Sequence, residues 1–283
     1  MLFRTLISTE ELEKNINNPD WVIVDCSFYL DDIHKGRQDY LVSHIPGALY
    51  AHLDDDLSGP AISGVTGRHP LPSVEAIADT LSKMGISQHN QVVVYDARGG
   101  AIAAVRLWWI LRWLGHDNAA VLDGGLIKWL SEGRPISSNI ETSSTRKFVP
   151  KPHSEYIAGV NEVDFARNSP LHSVIDARAE ERFAGINEPI DPIAGHIPGA
   201  INLPYEYLLS ADGNFKPADE LRRIYSQLLK GKQAKNLILY CGSGVTSIMH
   251  ILAMEHIGIS GARLYIGSWS EWITDKYRPI AAI

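Results

Sequence analysis

Short apolar runs alternate along the chain with stretches that have the period of a helix. Trp21–Asp25 and Gln91–Asp96 have the length and branched content of buried strands, whereas Ala101–Leu114 is long, strongly apolar and typical of a buried helix. Ser73 stands where a helix cap is expected, ahead of a helical stretch that runs to about Gly85. Strands that alternate with helices in this way predict an α/β fold with largely parallel sheets.

The same order of elements occurs twice. Val174–Asp176 repeats Ile23–Asp25, and the five letters of His196–Ala200 are identical to those of His44–Ala48. Two further pairs of segments match in the same order and at nearly constant spacing. A repeat of this kind indicates two copies of one fold.

The length of the chain agrees with this duplication. At 283 residues it has room for two domains that each bury a core. We predict a first domain over 1–135 and a second over 160–283. The intervening residues 136–159 are rich in Ser, Thr, Pro and Lys and show no hydrophobic period, which favours a linker.

A cysteine follows a predicted strand in the second copy. Leu237–Tyr240 leads into Cys241 and a loop of small residues that ends at Thr246, which we call the cradle loop (residues 241–246), and a helical stretch follows. Glycines in such a turn let successive main-chain N–H groups, with those of the helix start, converge on the sulfur. Such donors favour the thiolate, so Cys241 is the predicted nucleophile.

The two copies differ at this position. Asp96 stands in the first copy where Cys241 stands in the second. Because a carboxylate cannot carry out thiol chemistry, we predict that the first copy is inactive. Cys26 follows a strand without a glycine-rich loop and is predicted to be inert. Both copies carry a histidine at the equivalent position, His44 in the first and His196 in the second, which favours a structural role over a catalytic one.

Composition narrows the possible partners. A formal net charge of −7 without long blocks of like charge argues against nucleic acid or an anionic membrane as partner, but allows a small anionic substrate. Only two cysteines are present, which is too few for a disulfide framework. The apolar run at the start of the chain is too short for a signal peptide. We therefore expect a cytoplasmic protein. No cluster has metal-ligand spacing, and we expect neither a metal nor a cofactor.

These segments together resemble the tandem-domain rhodanese superfamily of sulfurtransferases. The resemblance rests on the two His-Ile-Pro-Gly-Ala motifs, on Tyr265–Trp272 and on the cradle loop, and it covers nearly the whole chain. It implies two rhodanese-like domains, each a largely parallel sheet flanked by helices. It also implies that Cys241 takes a sulfane sulfur from a donor as a persulfide and passes it to a thiophilic acceptor, such as cyanide or a thiol, including thioredoxin-like proteins.

The cradle loop bears on the donor. Its sequence Cys-Gly-Ser-Gly-Val-Thr is similar to that of 3-mercaptopyruvate sulfurtransferases, whereas thiosulfate enzymes carry a more cationic loop. By the same resemblance, Arg182 binds the carboxylate of the donor. Ile190 stands where mercaptopyruvate enzymes have a second arginine, so thiosulfate stays open as the main donor.

The resemblance also implies a set of site residues. Ser243, His69 and an aspartate of the run 54–56, for which we choose Asp54, match a proton-moving Ser-His-Asp arrangement. The remaining cradle residues are expected to contact the substrate; they are Gly242, Gly244, Val245 and Thr246.

Two other functions stay open. A cysteine phosphatase uses a similar loop, but Ser247 stands where such enzymes need an arginine. A persulfide carrier that accepts sulfur from another protein would use the same cysteine without acting on a small donor.

Overall fold

The computed structural model describes residues 2–283, which form two compact units. The first unit contains the residues up to Gly59, together with Pro72–His153 and Ala211–Phe215; the second contains Pro60–Leu71, Ser154–Ser210 and Lys216–Ile283. Residues 60–71 therefore cluster with the second unit, although their neighbours in the chain belong to the first. The predicted boundaries at 135 and 160 stay a prediction.

A parallel five-stranded sheet forms the centre of the first unit. Its strands are β1 (Leu6–Ile7), β2 (Trp21–Asp25), β3 (Leu49–Tyr50), β4 (Gln91–Tyr95) and β5 (Ala119–Leu122). They lie in the order β1-β5-β4-β2-β3, and β2 pairs with β4 in parallel along its whole length. All five residues of β4 are buried, as expected for a central strand of a parallel sheet.

Five helices accompany this sheet: α1 (Thr9–Asn15), α2 (Lys35–Val42), α3 (Val74–Lys83), α4 (Ala103–Trp113) and α5 (Gly125–Ser131). The Oγ atom of Ser73 accepts the N–H of Ala76 at 3.2 Å and so caps α3, as predicted. Residues 101–114, predicted as one helix, contain α4.

The second unit repeats the topology of the first. Its strands are β6 (Ser173–Asp176), β7 (Ile201–Asn202), β8 (Leu237–Tyr240) and β9 (Arg263–Leu264), all parallel and in the order β7-β6-β8-β9. Ile157 forms a parallel bridge with Leu264, which is the place that β1 takes beside β5. The predicted α/β fold with two copies of a largely parallel sheet is confirmed.

Further helices complete the second unit: α6 (Val160–Ala166), α7 (Glu180–Ala184), α8 (Ala218–Leu229), α9 (Ile248–His256) and α10 (Ser268–Trp272). Three short 3-10 helices cover Ser154–Tyr156, Tyr205–Leu208 and Ala234–Asn236. Throughout residues 2–283, we find no helix with the length and apolar character needed to cross a membrane.

Most of the predicted linker packs on the first unit. The Ser143 hydroxyl donates to the carbonyl of Lys83 at 2.8 Å, and the N–H of Lys151 donates to the carbonyl of Leu114 at 2.9 Å. Phe148 is buried in the same stretch. These contacts order a segment whose composition alone indicates only a loop.

The repeated histidines hold main-chain groups in both units. Nδ1 of His44 lies 2.7 Å from the carbonyl oxygen of Tyr40, and Nδ1 of His196 lies 2.7 Å from that of Phe183. Each imidazole also stacks on the ring of the same partner, with ring centroids 4.0 and 3.7 Å apart. The same use in both copies agrees with a structural role.

Candidate active site

The cradle loop connects β8 to the start of α9. Gly244 in this loop has a φ of +72°, and a Cβ atom there would lie 2.2 Å from the carbonyl oxygen of Ile266. Both the left-handed backbone and the close approach require glycine. The loop can therefore turn tightly beneath Cys241.

The Cys241 side chain is surrounded by hydrogen-bond donors. Its Sγ atom accepts the N–H of Val245 at 3.3 Å, and the residue is only 2% exposed. Burial is the largest influence and raises the pKa of this thiol, but the Thr246 hydroxyl and the N–H groups of Ser247 and Ser243 outweigh it, and the pKa of Cys241 is lowered. The loop therefore favours a thiolate.

Residues at the start of α10 hold the main chain of the cradle loop through hydrogen bonds. Ser268 Oγ accepts the N–H of Cys241 at 3.1 Å and donates to the carbonyl of Tyr265 at 2.9 Å. The N–H groups of Trp269 and Ser270 donate to the carbonyls of Cys241 and Gly242, at 3.0 and 2.9 Å. The C-terminal Tyr265–Trp272 segment thus fixes the main chain at Cys241.

Ser243 and His69 lie together. Ser243 Oγ is 2.8 Å from Nδ1 of His69, and both residues are buried. The contact joins residues 60–71 to the rest of the second unit. Asp54 is a half-buried residue of the first unit, and its part in a Ser-His-Asp arrangement stays a prediction.

Two guanidinium groups flank the cradle loop. A Cβ atom built on Gly242 would lie 2.8 Å from Nη2 of Arg68, and 3.4 and 3.7 Å from Nη2 and Nη1 of Arg182. Ile190, which replaces the expected second arginine, is exposed. A second cation is therefore present beside Gly242, but it comes from a distant segment of the chain.

Sequence reasoning missed Arg68. The one available signal was its position directly before His69, a residue already assigned to the site. Arg68 also lines an open cleft of about 380 Å³ in the second unit, together with Ile190 and Asp191. The Arg68 side chain is 27% exposed, so a small anion can reach it from solvent.

Buried carboxylates hold Arg182 and its neighbour Arg178 in place. Glu188 accepts from Nε of Arg182, with both oxygens at 3.1 Å, and from Nη1 of Arg178 at 3.2 Å. Arg178 in turn binds Asp176, with Nη2 and Oδ2 2.6 Å apart. The side chains of Asp176, Arg178 and Glu188 are almost fully buried, which fixes the direction in which Arg182 points.

In the first unit, the loop after β4 corresponds to the cradle loop, and the Asp96 side chain occupies its centre. The buried Asp96 carboxylate accepts N–H groups from Arg98 and Gly100 at 2.8 and 2.9 Å through Oδ1, and from Ile102 and Ala104 at 3.1 and 3.3 Å through Oδ2. The ring of main-chain donors is thus kept in the first copy, with a carboxylate at its centre.

Comparison with known proteins defines the class. Residues 8–132 and 160–275 both match the Rhodanese-like domain family. The chain therefore belongs to the rhodanese family and carries two copies of its domain, which confirms the resemblance found in the sequence.

Individual relatives match over nearly the full length. A probable 3-mercaptopyruvate sulfurtransferase of Pseudomonas aeruginosa is 42% identical over 277 residues, which cover 98% of this chain and 97% of that protein. The thiosulfate sulfurtransferase of Bos taurus is 32% identical over 282 residues, which cover 96% and 93%. The structure of 3-mercaptopyruvate sulfurtransferase from Leishmania major covers 95% of this chain and 74% of that chain, with 30% identity and a TM-score of 0.83. The chain is similar to sulfurtransferases throughout, and the predicted enzyme class is confirmed.

Proposed function

We propose that this sulfurtransferase takes sulfur from 3-mercaptopyruvate and carries it on Cys241 as a persulfide. The observation that supports this most directly is a thiol of lowered pKa held by main-chain donors, with two guanidinium groups beside the same loop. A nucleophile and an anion-binding pair within one site are what transfer from a small anionic donor needs.

The first half-reaction breaks the carbon–sulfur bond of the donor. The Cys241 thiolate attacks the mercaptopyruvate sulfur, a sulfur–sulfur bond forms, and the bonding electrons leave as the enolate of pyruvate. The enolate takes up one proton to become pyruvate. Ser243, 2.8 Å from His69, is suited to donate to the developing oxyanion, and His69 to exchange the proton with the hydroxyl.

The second half-reaction returns the thiolate. Cyanide or a thiolate attacks the outer sulfur of the persulfide, the sulfur–sulfur bond breaks, and its electrons return to Cys241. The N–H of Val245 already contacts the sulfur, and we expect the main chain of Gly242 and Gly244 and the Thr246 hydroxyl to stabilise the negative charge in both steps. Asp54 is proposed as the partner of His69.

The surroundings of Cys241 favour mercaptopyruvate over thiosulfate. Gly242 and Ser243 contribute no charge to the cradle loop, while Arg182 and Arg68 can bind one carboxylate through two guanidinium groups. Thiosulfate stays the alternative main donor. A thiol protein of the thioredoxin type as acceptor, and the cytoplasm as location, also stay proposals.

A donor assay tests the proposal. The protein is incubated with each donor and cyanide, and thiocyanate and pyruvate are followed. We expect mercaptopyruvate to be used with the higher kcat/KM, and Cys241→Ser to lower turnover at least about a thousandfold. Cys26→Ser is the matched control and should keep wild-type rates. Turnover that survives in Cys241→Ser would refute the assignment of the nucleophile.

The same preparation discriminates between the alternatives. Hydrolysis of an aryl phosphate would favour a cysteine phosphatase. Sulfur that reaches Cys241 only from a partner desulfurase, and never from a small donor, would favour a persulfide carrier; intact-mass spectrometry detects the added atom.

A further inference from the structure

Asp191 lies between the two arginines that flank the cradle loop. Its Oδ1 atom forms an ion pair with Nη1 of Arg68, and its Oδ2 atom accepts from Nη2 of Arg182 at 3.0 Å. Each carboxylate oxygen thus binds a different guanidinium group. A negative charge at a proposed anion site needs an explanation, because it opposes the binding of an anionic donor.

The two arginine side chains are accessible from solvent, whereas the Asp191 carboxylate between them is buried. The side chain of Asp191 is 2% exposed, whereas those of Arg182 and Arg68 are 17% and 27% exposed. Nη2 of Arg68 is the atom closest to a Cβ built on Gly242, and it is not the atom that binds Asp191. Nε of Arg68 is buried and has no hydrogen-bond partner among the described residues. Arg68 therefore keeps Nη2, beside Gly242, as a donor for a ligand after Nη1 has bound Asp191.

Charge counting shows what the carboxylate changes. Arg68 and Arg182 with Asp191 carry one net positive charge, while the buried trio behind them, Asp176, Arg178 and Glu188, carries one net negative charge. The potential at the cradle loop therefore depends on each of these charges. The energy of a bound anion with the Asp191 charge is proportional to the charge of that anion, so a dianion is repelled about twice as strongly as a monoanion at the same place.

We propose that Asp191 is a specificity-determining residue, which fixes Arg68 and Arg182 as a pair and makes the site select a monoanionic carboxylate donor over a dianionic one. This inference rests on the proposed function, in which the donor anion binds beside Gly242. The relevant dianion is thiosulfate and the relevant monoanion is mercaptopyruvate.

Asp191→Asn tests the proposal, because it removes the charge and keeps the size of the side chain. We expect the ratio of kcat/KM for thiosulfate to kcat/KM for mercaptopyruvate to rise about tenfold, through KM, with kcat for mercaptopyruvate within about twofold of wild type. Asp191→Glu retains the charge and should keep the ratio near that of wild type. Glu181→Gln is the matched control, since it removes an exposed carboxylate next to Arg182 in sequence.

A binding measurement makes the test independent of turnover. In the Cys241→Ser background, calorimetry gives the dissociation constants of pyruvate, a monoanion, and sulfate, a dianion. We expect Asp191→Asn to tighten sulfate relative to pyruvate about tenfold. If the wild-type chain transfers sulfur from neither donor, the proposed function fails, while the two dissociation constants still decide the role of Asp191.

Four outcomes would overturn the inference. The ratio could stay unchanged in Asp191→Asn, or Asp191→Glu could shift it as far as Asp191→Asn does. Binding of both anions could weaken equally with a fall in Tm, which would mark Asp191 as purely structural. Binding of neither anion by the wild-type site would also refute it.

Discussion

Single residues around Cys241 adopt conformations that need support from their neighbours. Ser268 has a φ of +53°, and among the described non-glycine residues only Lys230 shares such a positive value. A left-handed backbone costs a residue with a Cβ about 1–2 kcal/mol. The two hydrogen bonds of the Ser268 hydroxyl offset this cost, and one of them fixes the N–H of Cys241 itself.

We therefore predict that Ser268 acts as a positioning residue for the nucleophile. Ser268→Ala loses both bonds and keeps the strain, so the free energy of unfolding should fall by about 2–4 kcal/mol. Ser268→Gly relieves the strain and should lose about 1–2 kcal/mol less. In both variants we expect the pH midpoint of Cys241 alkylation to rise, as measured by the rate with iodoacetamide.

Ser226→Ala, at an exposed position of α8, is the control and should change neither quantity. An unchanged alkylation midpoint in both Ser268 variants would reduce Ser268 to a structural residue.

At the scale of elements, the same strand-loop-helix unit occurs after β4 and after β8. In each case a buried strand ends at a residue whose side chain sits within main-chain N–H groups. The first loop holds the Asp96 carboxylate with four N–H groups, and the second holds the Cys241 sulfur. The main-chain donors belong to the element, while the group at their centre differs: a carboxylate in the first unit and a thiol in the second.

Asp96→Ala tests this reading. The substitution leaves four N–H groups without their acceptor, and those of Gly100 and Ala104 belong to buried residues, so we expect the free energy of unfolding to fall by about 3–5 kcal/mol. The alkylation rate of Cys241 should change little, because Asp96 and Cys241 belong to different units. Urea denaturation and the iodoacetamide assay measure the two effects.

Asp31→Ala, in an exposed loop of the same unit, serves as the control. A loss of stability no larger than in that control would show that the Asp96 carboxylate does not hold its loop together.

The whole molecule combines two copies of one fold, each with one cysteine, and the two copies shift the pKa of that cysteine in opposite directions. Burial, followed by the charges of Asp25 and Asp96, raises the pKa of Cys26 well above its usual range. The donors of the cradle loop lower the pKa of Cys241. Both thiols are buried, so burial alone does not separate them; the hydrogen-bond donors around Cys241 and the carboxylates near Cys26 do.

We therefore predict that the intact chain takes up one equivalent of iodoacetamide near neutral pH. Cys241→Ser should abolish the reaction, and Cys26→Ser should leave its rate unchanged. Because the pKa of Cys241 is lowered, the rate should reach its plateau at a lower pH than that of a free cysteine. Intact-mass spectrometry counts the labels. Similar labelling of Cys26 and Cys241 in the folded chain would contradict the assignment of two different environments.

Much of the fold could be predicted because it depends on neighbours in sequence. Local hydrophobic period and composition predict the strand before Cys241 and the capped helix after Ser73. The repeated His-Ile-Pro-Gly-Ala motif is read directly from the sequence. The contact between Ser243 and His69 was implied only by family resemblance, since 174 positions separate the two residues. Arg68 was missed for the same reason.

The sequence by itself determined most of the elements and the duplication, since local hydrophobic period and short repeated motifs carry that information, and it predicts Cys241 as the nucleophile. Tertiary structure decided that residues 60–71 cluster with the second unit, and that Asp191 lies between Arg68 and Arg182. Hydrophobic period reports which face of an element is buried, but it carries no information about which distant charges meet there. Those pairings arise only when packing brings the segments together, and they set the electrostatics of the site.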